Sequence, residues 1–181
     1  AATRTQIFEI SQEDSLASFE IDEVLRGSPF TAIGLTNQIA GQIAFDPNDL
    51  SDAQIGTISI NARTFLTDNE FRNRALNNRI LLTGIYEFIE FVPTALNGLP
   101  DSVAIGETVE FEIVGQLTLL DTTKEETFAA TVMFDSAETI SGIATTTILR
   151  SNYDLQIPAV RAVASVEDEV TLTLEFVANA Q

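Results

Sequence analysis

Residues 107–119 read ETVEFEIVGQLTL, and from Val109 onward apolar residues or glycine occupy every odd position. Polar residues occupy all but one of the even positions. Successive side chains of a β-strand point to opposite faces, so this alternation predicts an antiparallel strand with one buried and one solvated face. The stretch decides the fold class, because the same pattern recurs along the chain.

The period-two pattern is clearest again at residues 169–178, which read EVTLTLEFVA. Shorter runs rich in β-branched and aromatic residues predict further strands. These runs lie at 19–21, 39–45, 58–62, 86–95, 127–134 and 138–148. In the run 86–95, the three-residue spacing of Phe88 and Phe91 suggests a bulge between them.

Residues 67–78 depart from this pattern and predict one short helix. Thr67 or Asp68 is positioned to cap it, and Phe71, Ala75 and Leu76 recur at helical spacing. About eight strands and one helix fit either a closed antiparallel barrel or a sandwich, and periodicity alone does not choose between the two.

Composition excludes several classes of function. Hydrophobic residues make up 45% of the chain, which excludes a disordered acidic tail, and 27 acidic against 9 basic residues give a net charge of −18. Such a surface repels nucleic acid and anionic lipid headgroups, so we expect no nucleic-acid partner. The chain contains no cysteine and no histidine, which removes thiol and Ser-His-Asp chemistry and most zinc, copper and haem sites.

We expect neither catalysis nor a metal. The paired carboxylates are uninformative in so acidic a chain, and Tyr86 and Tyr153 have no evident base beside them. The acidic turn at residues 46–52 offers calcium-type oxygen ligands but lacks the spacing of an EF-hand, which favours a solvated turn. No run approaches the roughly 20 apolar residues that a membrane-spanning helix needs.

Six segments, in order, resemble the YceI-like family of lipocalin-like polyisoprenoid-binding proteins. They are FEI at 8–10 with FEI at 19–21, IAGQIAFD at 39–46, ISINART at 58–64 with TDN at 67–69, YEFIEF at 86–91, GQLTL at 115–119, and LRSNY at 149–153 with DEV at 168–170. The resemblance runs over most of the chain. Asn73, Glu87, Asp121 and Asp154 depart from the family pattern, the last two at turn positions usually held by glycine.

The resemblance implies an all-β fold: an eight-stranded antiparallel lipocalin-like barrel with one short helix between strands. It implies a single domain over 1–181, with its core at about 5–179, and an exported protein of the periplasm or beyond. The opening Ala1-Ala2-Thr3 suits the mature side of a signal cleavage site. We expect no cofactor other than a bound lipid, and a homodimer or an envelope protein remains open as a partner.

The predicted lipid-pocket residues are the inward-facing apolar positions of the strands together with Phe71 of the helix. They are Phe19, Ile21, Ile43, Phe45, Ile58, Ile60, Phe71, Phe88, Phe111, Ile113, Leu117, Phe134, Ile148, Leu172 and Phe176. Alternation alone indicates burial and favours side chains that pack against one another as a core; only the resemblance favours a hollow interior. The small residues Gly41, Gly115, Gly142 and Ala144 indicate either close approach of a ligand or a barrel corner.

Four of the nine basic residues, Arg63, Arg72, Arg74 and Arg79, fall around the predicted helix. The planar guanidinium suits bidentate contact with phosphate or carboxylate, so Arg72, together with Arg150, is the candidate for contact with a lipid headgroup. The alternative is that these arginines pair with Asp68, Glu70 or strand carboxylates.

The predicted function is to bind, and to sequester or carry, a long-chain amphiphile such as a polyisoprenoid inside the apolar barrel. The alternative is a non-catalytic structural or interaction module of the cell envelope with a filled core. Its first docking surface, or else the rim of a lipid portal, is the apolar group Phe65, Leu66, Ile80, Leu81, Leu82 and Ile85.

Overall fold

The computed structural model describes residues 5–155 and 163–181. Strands account for most of these residues. They are β1 (Gln6–Ile10), β2 (Leu16–Leu25), β3 (Ser28–Thr36), β4 (Ile39–Ala40), β5 (Gln42–Asp46), β6 (Asp49–Ile55), β7 (Ile58–Asn61), β8 (Phe88–Asn97), β9 (Thr108–Leu119), β10 (Thr122–Ser136), β11 (Thr139–Leu149) and β12 (Val163–Ala180). One α-helix, α1 (Glu70–Ala75), lies between β7 and β8 and continues into a π-helical turn at Leu76–Ile80.

The strands form one strongly curled antiparallel sheet, in the order β4-β7-β8-β9-β10-β11-β12-β1-β5-β6. Strand β4 pairs with β7, and β5, one residue later, pairs with β1, so the segment 39–46 spans both ends of the run from β7 to β1. The hairpin β2–β3 pairs with the first part of β12. This confirms the all-β, lipocalin-like fold.

The strand count differs from the eight that the resemblance implies, because the sheet contains twelve strands. Gly41 divides the predicted run 39–45 into β4 and β5. A Cβ atom at this position would clash with Cδ1 of Ile58, so the absence of a side chain lets β7 pack closely where the strand is interrupted. The predicted run 39–45 is therefore two short strands: β4 pairs with β7, and β5 pairs with β1 and β6.

Strand β8 does not have the predicted bulge between Phe88 and Phe91. Its pairing with β7 is continuous from Phe88 to Phe91, and the register shifts later, between Pro93 and Ala95. Proline has no N–H to donate to a neighbouring strand, which explains why the ladder is disrupted there. Ile89 and Phe91 consequently face the interior, whereas Phe88 is half exposed on the outside.

The helix begins one or two residues later than predicted. Its N-cap is Asn69, whose side chain accepts a hydrogen bond from the backbone N–H of Arg72 at 3.1 Å. Thr67 instead donates its backbone N–H and its hydroxyl to Oδ1 of Asn73, both at 2.7 Å. Asn73, a departure from the family pattern, therefore still supplies an acceptor to the segment before the helix.

The two departures at turns have different outcomes. Asp154 adopts the left-handed conformation with φ 57°, as expected of a residue that replaces glycine. At the β9–β10 turn the left-handed residue is Leu120, with φ 55°, and not Asp121, although aspartate adopts this conformation more readily than leucine.

The turn Arg150–Tyr153 anchors the chain between β11 and β12. Tyr153 is completely buried, and its hydroxyl donates a hydrogen bond of 2.8 Å to Glu126 on β10. Burial, followed by the contact with this carboxylate, raises the pKa of Tyr153 and keeps the phenol neutral. The turn is thereby held against the interior, where Arg150 borders the cavity described next.

Candidate functional site

The curled sheet encloses two adjoining cavities. The first, here called the apolar chamber, has a volume of about 180 Å³, and its wall consists almost entirely of apolar side chains. Residues of β1, β2 and the strands from β5 to β12 form its wall. Its main lining residues are Ile43, Phe45, Ile58, Ile60, Phe91, Phe111, Ile113, Leu117, Phe128, Phe134, Ala144 and Phe176.

The second cavity, here called the arginine chamber, has a volume of about 480 Å³ and lies between the hairpin β2–β3, the helix α1 and the beginning of β12. Its apolar lining includes Phe19, Ile21, Ala32, Phe71, Ala75, Leu76, Ile80, Leu81, Ile148 and Val170. Its polar lining is Glu23, Arg26, Asn69, Arg72 and Arg150. Phe65, Ile89, Leu119 and Leu172 line both chambers, so the two cavities meet at these side chains.

The structure brings fourteen of the fifteen predicted lipid-pocket residues to these cavities. Ten lie in the apolar chamber: Ile43, Phe45, Ile58, Ile60, Phe111, Ile113, Leu117, Phe134, Leu172 and Phe176. Phe19, Ile21, Phe71 and Ile148 lie in the arginine chamber, which Leu172 also borders. Phe88 lines neither cavity because the unbulged register of β8 turns it outward. The same misassigned register concealed Ile89, which lines both chambers.

The glycines at the apolar faces mark close packing of neighbours. A Cβ at Gly115 would lie 2.6 Å from Cζ of Phe91, and one at Gly142 would lie 2.5 Å from the carbonyl oxygen of Thr131. The space that these glycines leave is therefore occupied by the protein itself. Ala144, in contrast, is buried and borders the apolar chamber directly.

Arg72 reaches from α1 across the arginine chamber to the hairpin β2–β3. Its Nη2 donates to Oε1 of Glu23 at 2.6 Å, and its Nη1 donates to Oδ1 of Asp68 at 3.1 Å. The guanidinium also lies 5.3 Å from the ring centroid of Phe30. The sequence left open whether Arg72 contacts a headgroup or pairs with a carboxylate. In the structure it lines a cavity and also pairs with a strand carboxylate.

Arg150 is held by the backbone. Its guanidinium donates to the carbonyl oxygens of Leu155, Val166 and Glu167 at 3.3, 3.2 and 3.0 Å. Three of its five N–H groups are used in this way, so two remain to face the chamber or solvent. These contacts fix its side chain at the chamber wall.

The other arginines divide into two groups. Arg63 donates to the carbonyl of Thr83 and pairs with Glu87, and Arg74 stacks on Phe71 at 5.0 Å, so neither lines the chamber. The side chain of Arg79 lies outside the described part of the structure. Arg26 does line the chamber, from the β2–β3 turn, and sequence analysis missed it. Its position depends on a left-handed φ of 51°, which is uncommon for arginine and has no signal in the sequence.

Asp168 and Ser151 fasten the Arg150–Tyr153 turn to β12. Asp168 accepts hydrogen bonds from the backbone N–H and the hydroxyl of Ser151, at 2.9 and 2.6 Å, and these bonds lower its pKa. Because the folded-state pKa is the lower one, the pair stabilises the folded chain above the unfolded-state pKa. That contribution is lost as pH falls through the folded-state pKa.

In the variant Ser151→Ala we expect the pKa of Asp168 to rise toward its ordinary value, because the hydroxyl bond is lost and only the backbone bond remains. A carboxyl-detected NMR titration measures this. Asp49, whose pKa is lowered by the equivalent contacts to Ser51, is the internal control and should not move. An unchanged Asp168 titration would show that the hydroxyl does not set its pKa.

The apolar group proposed as a docking surface does not form one continuous exposed patch. Phe65 and Leu81 are buried, and Ile80 lines the arginine chamber. Leu66 and Ile85 are well exposed, and the backbone of Leu66 pairs with that of Leu35 at the edge of β3. Half of this group therefore belongs to the chamber wall, whereas Leu66, Leu82 and Ile85 line neither chamber.

The acidic turn is locally satisfied. Asp46 is buried and accepts a hydrogen bond from the backbone N–H of Asn48 at 2.9 Å. Within residues 5–155 and 163–181, no three acidic side chains are grouped in a way that could hold a metal ion. The helices found in these same ranges are too short or too polar to cross a membrane.

Solved structures with the same fold include proteins from three bacteria. BcnA of Burkholderia cenocepacia is 20% identical, with 93% of this chain and 98% of that chain covered and a TM-score of 0.75. A polyisoprenoid-binding domain from Saccharophagus degradans, implicated in plant cell wall breakdown, is 14% identical over 98% of this chain and 100% of that chain, with a TM-score of 0.74. The YceI protein of Campylobacter jejuni is 18% identical over 79% and 81% of the two chains, with a TM-score of 0.62.

At such identities these likenesses establish the fold alone. No curated protein matches the chain. The family model of the YceI-like domain, however, matches residues 8–178. The chain therefore belongs to the YceI-like domain family.

Proposed function

We propose that this protein binds a long-chain amphiphile, such as a polyisoprenoid, with its chain in the apolar chamber and its headgroup in the arginine chamber. The observation that carries the proposal is the junction of an almost wholly apolar cavity with a cavity that has polar residues in its wall. This is the arrangement that a ligand with one apolar and one polar end requires. The proposed activity needs no cofactor and no covalent chemistry.

The apolar chamber supplies affinity without specific contacts. Each CH₂ group that moves from water into such a cavity contributes about 0.8 kcal/mol. A chain of several carbons therefore binds tightly although no polar group contacts it. A cavity lined by apolar side chains is also poorly suited to hold water, which needs two to four polar partners.

The arginine chamber supplies the polar end. Arg26, Arg72 and Arg150 line it, although the whole chain has only nine basic residues against 27 acidic ones. We propose that a headgroup rich in hydrogen-bond acceptors lies beside Arg72 and Arg150. Arg150 has two unused N–H donors for this contact, and the planar guanidinium of Arg72 suits a phosphate or carboxylate.

We further propose that the protein works as an exported, periplasmic or extracellular carrier or store. A ligand of this kind has little solubility in water, so a protein that encloses its chain allows it to cross an aqueous compartment. Native mass spectrometry with and without the ligand would also distinguish a monomer from a homodimer.

Native mass spectrometry of the purified protein tests the proposal. We expect a mass above that of the 181-residue chain, and extraction after denaturation should release a stoichiometric long-chain lipid. A protein that has the bare mass, and keeps it after incubation with isoprenoids and fatty acids, would contradict the proposal. That result would favour an interaction module of the cell envelope.

A further inference from the structure

We propose that Glu23 is an internal competitor for the ligand headgroup: its carboxylate occupies Arg72 when the chamber is empty, and an anionic headgroup must displace it. The inference rests on the proposed function, and it adds the residue that sets headgroup selectivity. It predicts that Glu23 weakens the binding of lipids with an anionic headgroup. Neither the family assignment nor the sequence suggests this effect.

The geometry places Glu23 where a headgroup would bind. Glu23 and Arg72 both line the arginine chamber, and the distance between Oε1 and Nη2 is 2.6 Å. The side chain of Glu23 is only 8% exposed and that of Arg72 20% exposed, so water screens this pair weakly. A phosphate or carboxylate of the ligand that contacts Nη2 of Arg72 must therefore compete with Glu23.

Arg72 is suited to exchange partners. It belongs to α1, none of whose residues is buried, and it reaches β2 through its side chain alone. The ring of Phe30 supports the guanidinium from one side. A headgroup that replaced Glu23 would therefore find the guanidinium already positioned.

Displacement has a cost that falls only on anionic ligands. A carboxylate that loses its partner in a cavity loses the interaction that compensated its removal from water. An anionic headgroup exchanges one ion pair for another and gains little, whereas a neutral headgroup leaves the Glu23–Arg72 pair in place. We therefore expect the wild-type protein to discriminate weakly between the two.

Asp68 provides a matched control. It is the second carboxylate bound to Arg72, at 3.1 Å, but its side chain is 74% exposed. Exposed pairs of this kind contribute little because solvent screens them. The substitutions Glu23→Gln and Asp68→Asn remove the same charge from the same arginine, one inside the chamber and one outside it.

The experiment compares geranylgeranyl diphosphate with geranylgeraniol, which have the same chain and differ in headgroup, in calorimetric titrations of wild type, E23Q and D68N. We expect E23Q to bind the diphosphate roughly 10-fold tighter than wild type, the effect of one charge-assisted hydrogen bond. Its affinity for the alcohol should stay within about twofold, as should both affinities of D68N.

Three results would overturn the inference. A folded E23Q with wild-type affinity for the diphosphate shows that Glu23 does not compete. If E23Q and D68N gain equally in affinity for the diphosphate, the gain is an effect of net charge and not of the position of Glu23. If wild-type protein does not bind geranylgeraniol, the proposed function is wrong, and the inference fails with it. If it binds the alcohol but E23Q shows no gain for the diphosphate, only the role of Glu23 is wrong.

A measurement on the wild-type protein covers the case in which E23Q does not fold. With ¹³C-labelled glutamate, the carboxyl resonance of Glu23 should shift on saturation with geranylgeranyl diphosphate, because the carboxylate leaves Arg72. Saturation with geranylgeraniol should leave it in place. A resonance that is unmoved by the diphosphate overturns the inference.

Discussion

Replacement of Gly115 by alanine is expected to lower the free energy of unfolding by about 2–3 kcal/mol, the upper part of the range for overpacking in a core. The added Cβ would lie 2.6 Å from Cζ of Phe91, 2.6 Å from the carbonyl oxygen of Val92 and 2.8 Å from Cα of Pro93. Two of these atoms belong to the backbone of β8, so a rotation of one side chain cannot relieve the clash. The strands β8 and β9 would have to separate at the register shift beside Pro93.

Urea denaturation of the purified variant measures this loss. The control is Gly56→Ala, since a Cβ there would meet only the carbonyl oxygen of Gln42 at 3.5 Å, an ordinary contact. We expect the control to remain within about 0.5 kcal/mol of wild type. A G115A variant as stable as G56A would show that β8 and β9 can part at this point without loss of packing.

Gly115 also illustrates how far the sequence predicts this structure. Alternation around it identified β9 and the face that is buried, and the same pattern placed thirteen of the fourteen predicted strand positions on cavity walls. That success has a simple physical basis, because side-chain direction in a strand depends only on the parity of the position. What parity does not reveal is whether a buried position packs against the protein or borders a void.

The errors arose where tertiary pairing overrides local pattern. The spacing of Phe88 and Phe91 fitted a bulge, but the shift occurs at Pro93, where the ladder loses a donor, and a one-residue error in register turns a side chain to the other face. Three consecutive polar residues, Thr67, Asp68 and Asn69, precede the helix. Asn69 is the N-cap, whereas the hydroxyl of Thr67 donates a hydrogen bond to Asn73.

The partner of Arg72 could not be found from the sequence. Glu23 lies 49 positions away, two residues beyond the predicted run 19–21, and its parity with Phe19 and Ile21 indicates the inward face but not the partner. Pairing between distant charges depends on the sheet order, which brings the β2–β3 hairpin against the first part of β12 and leaves α1 facing it. The pairing of charged residues in the arginine chamber therefore depends on the order of the strands in the sheet, which local sequence does not reveal.

Substitution of Ala144 by phenylalanine is expected to lower the affinity for a C20 prenyl chain at least about 100-fold. Ala144 is buried, lies between Ala130 and Leu174 on the neighbouring strands, and borders the apolar chamber. Cavities of about 150 Å³ are known to hold benzene, so a phenyl ring fits within the chamber of about 180 Å³. The ring would displace four or more chain carbons at about 0.8 kcal/mol each, which corresponds to a factor of at least about 100.

The matched control is Ala129→Phe, which adds the same ring to the outer face of the sheet. Ala129 is exposed and lies one residue from the inward-facing Ala130 on β10. We expect A129F to bind geranylgeraniol as the wild type does. Titration calorimetry of the two variants, with urea denaturation of each, separates loss of the cavity from loss of the fold.

The stability of A144F decides between a hollow and a filled interior independently of any ligand. In a hollow sheet the ring enters empty space and gains contacts, so the free energy of unfolding should stay the same or rise. In a filled sheet the ring has no room, and overpacking should cost roughly 1–3 kcal/mol. A variant that is destabilised to this extent, and that still binds the prenyl alcohol with wild-type affinity, would place the chain outside the apolar chamber. Retained stability together with lost binding would instead locate the chain among Ala144, Ile113 and Ala130, the side chains that pack together at this point of the chamber.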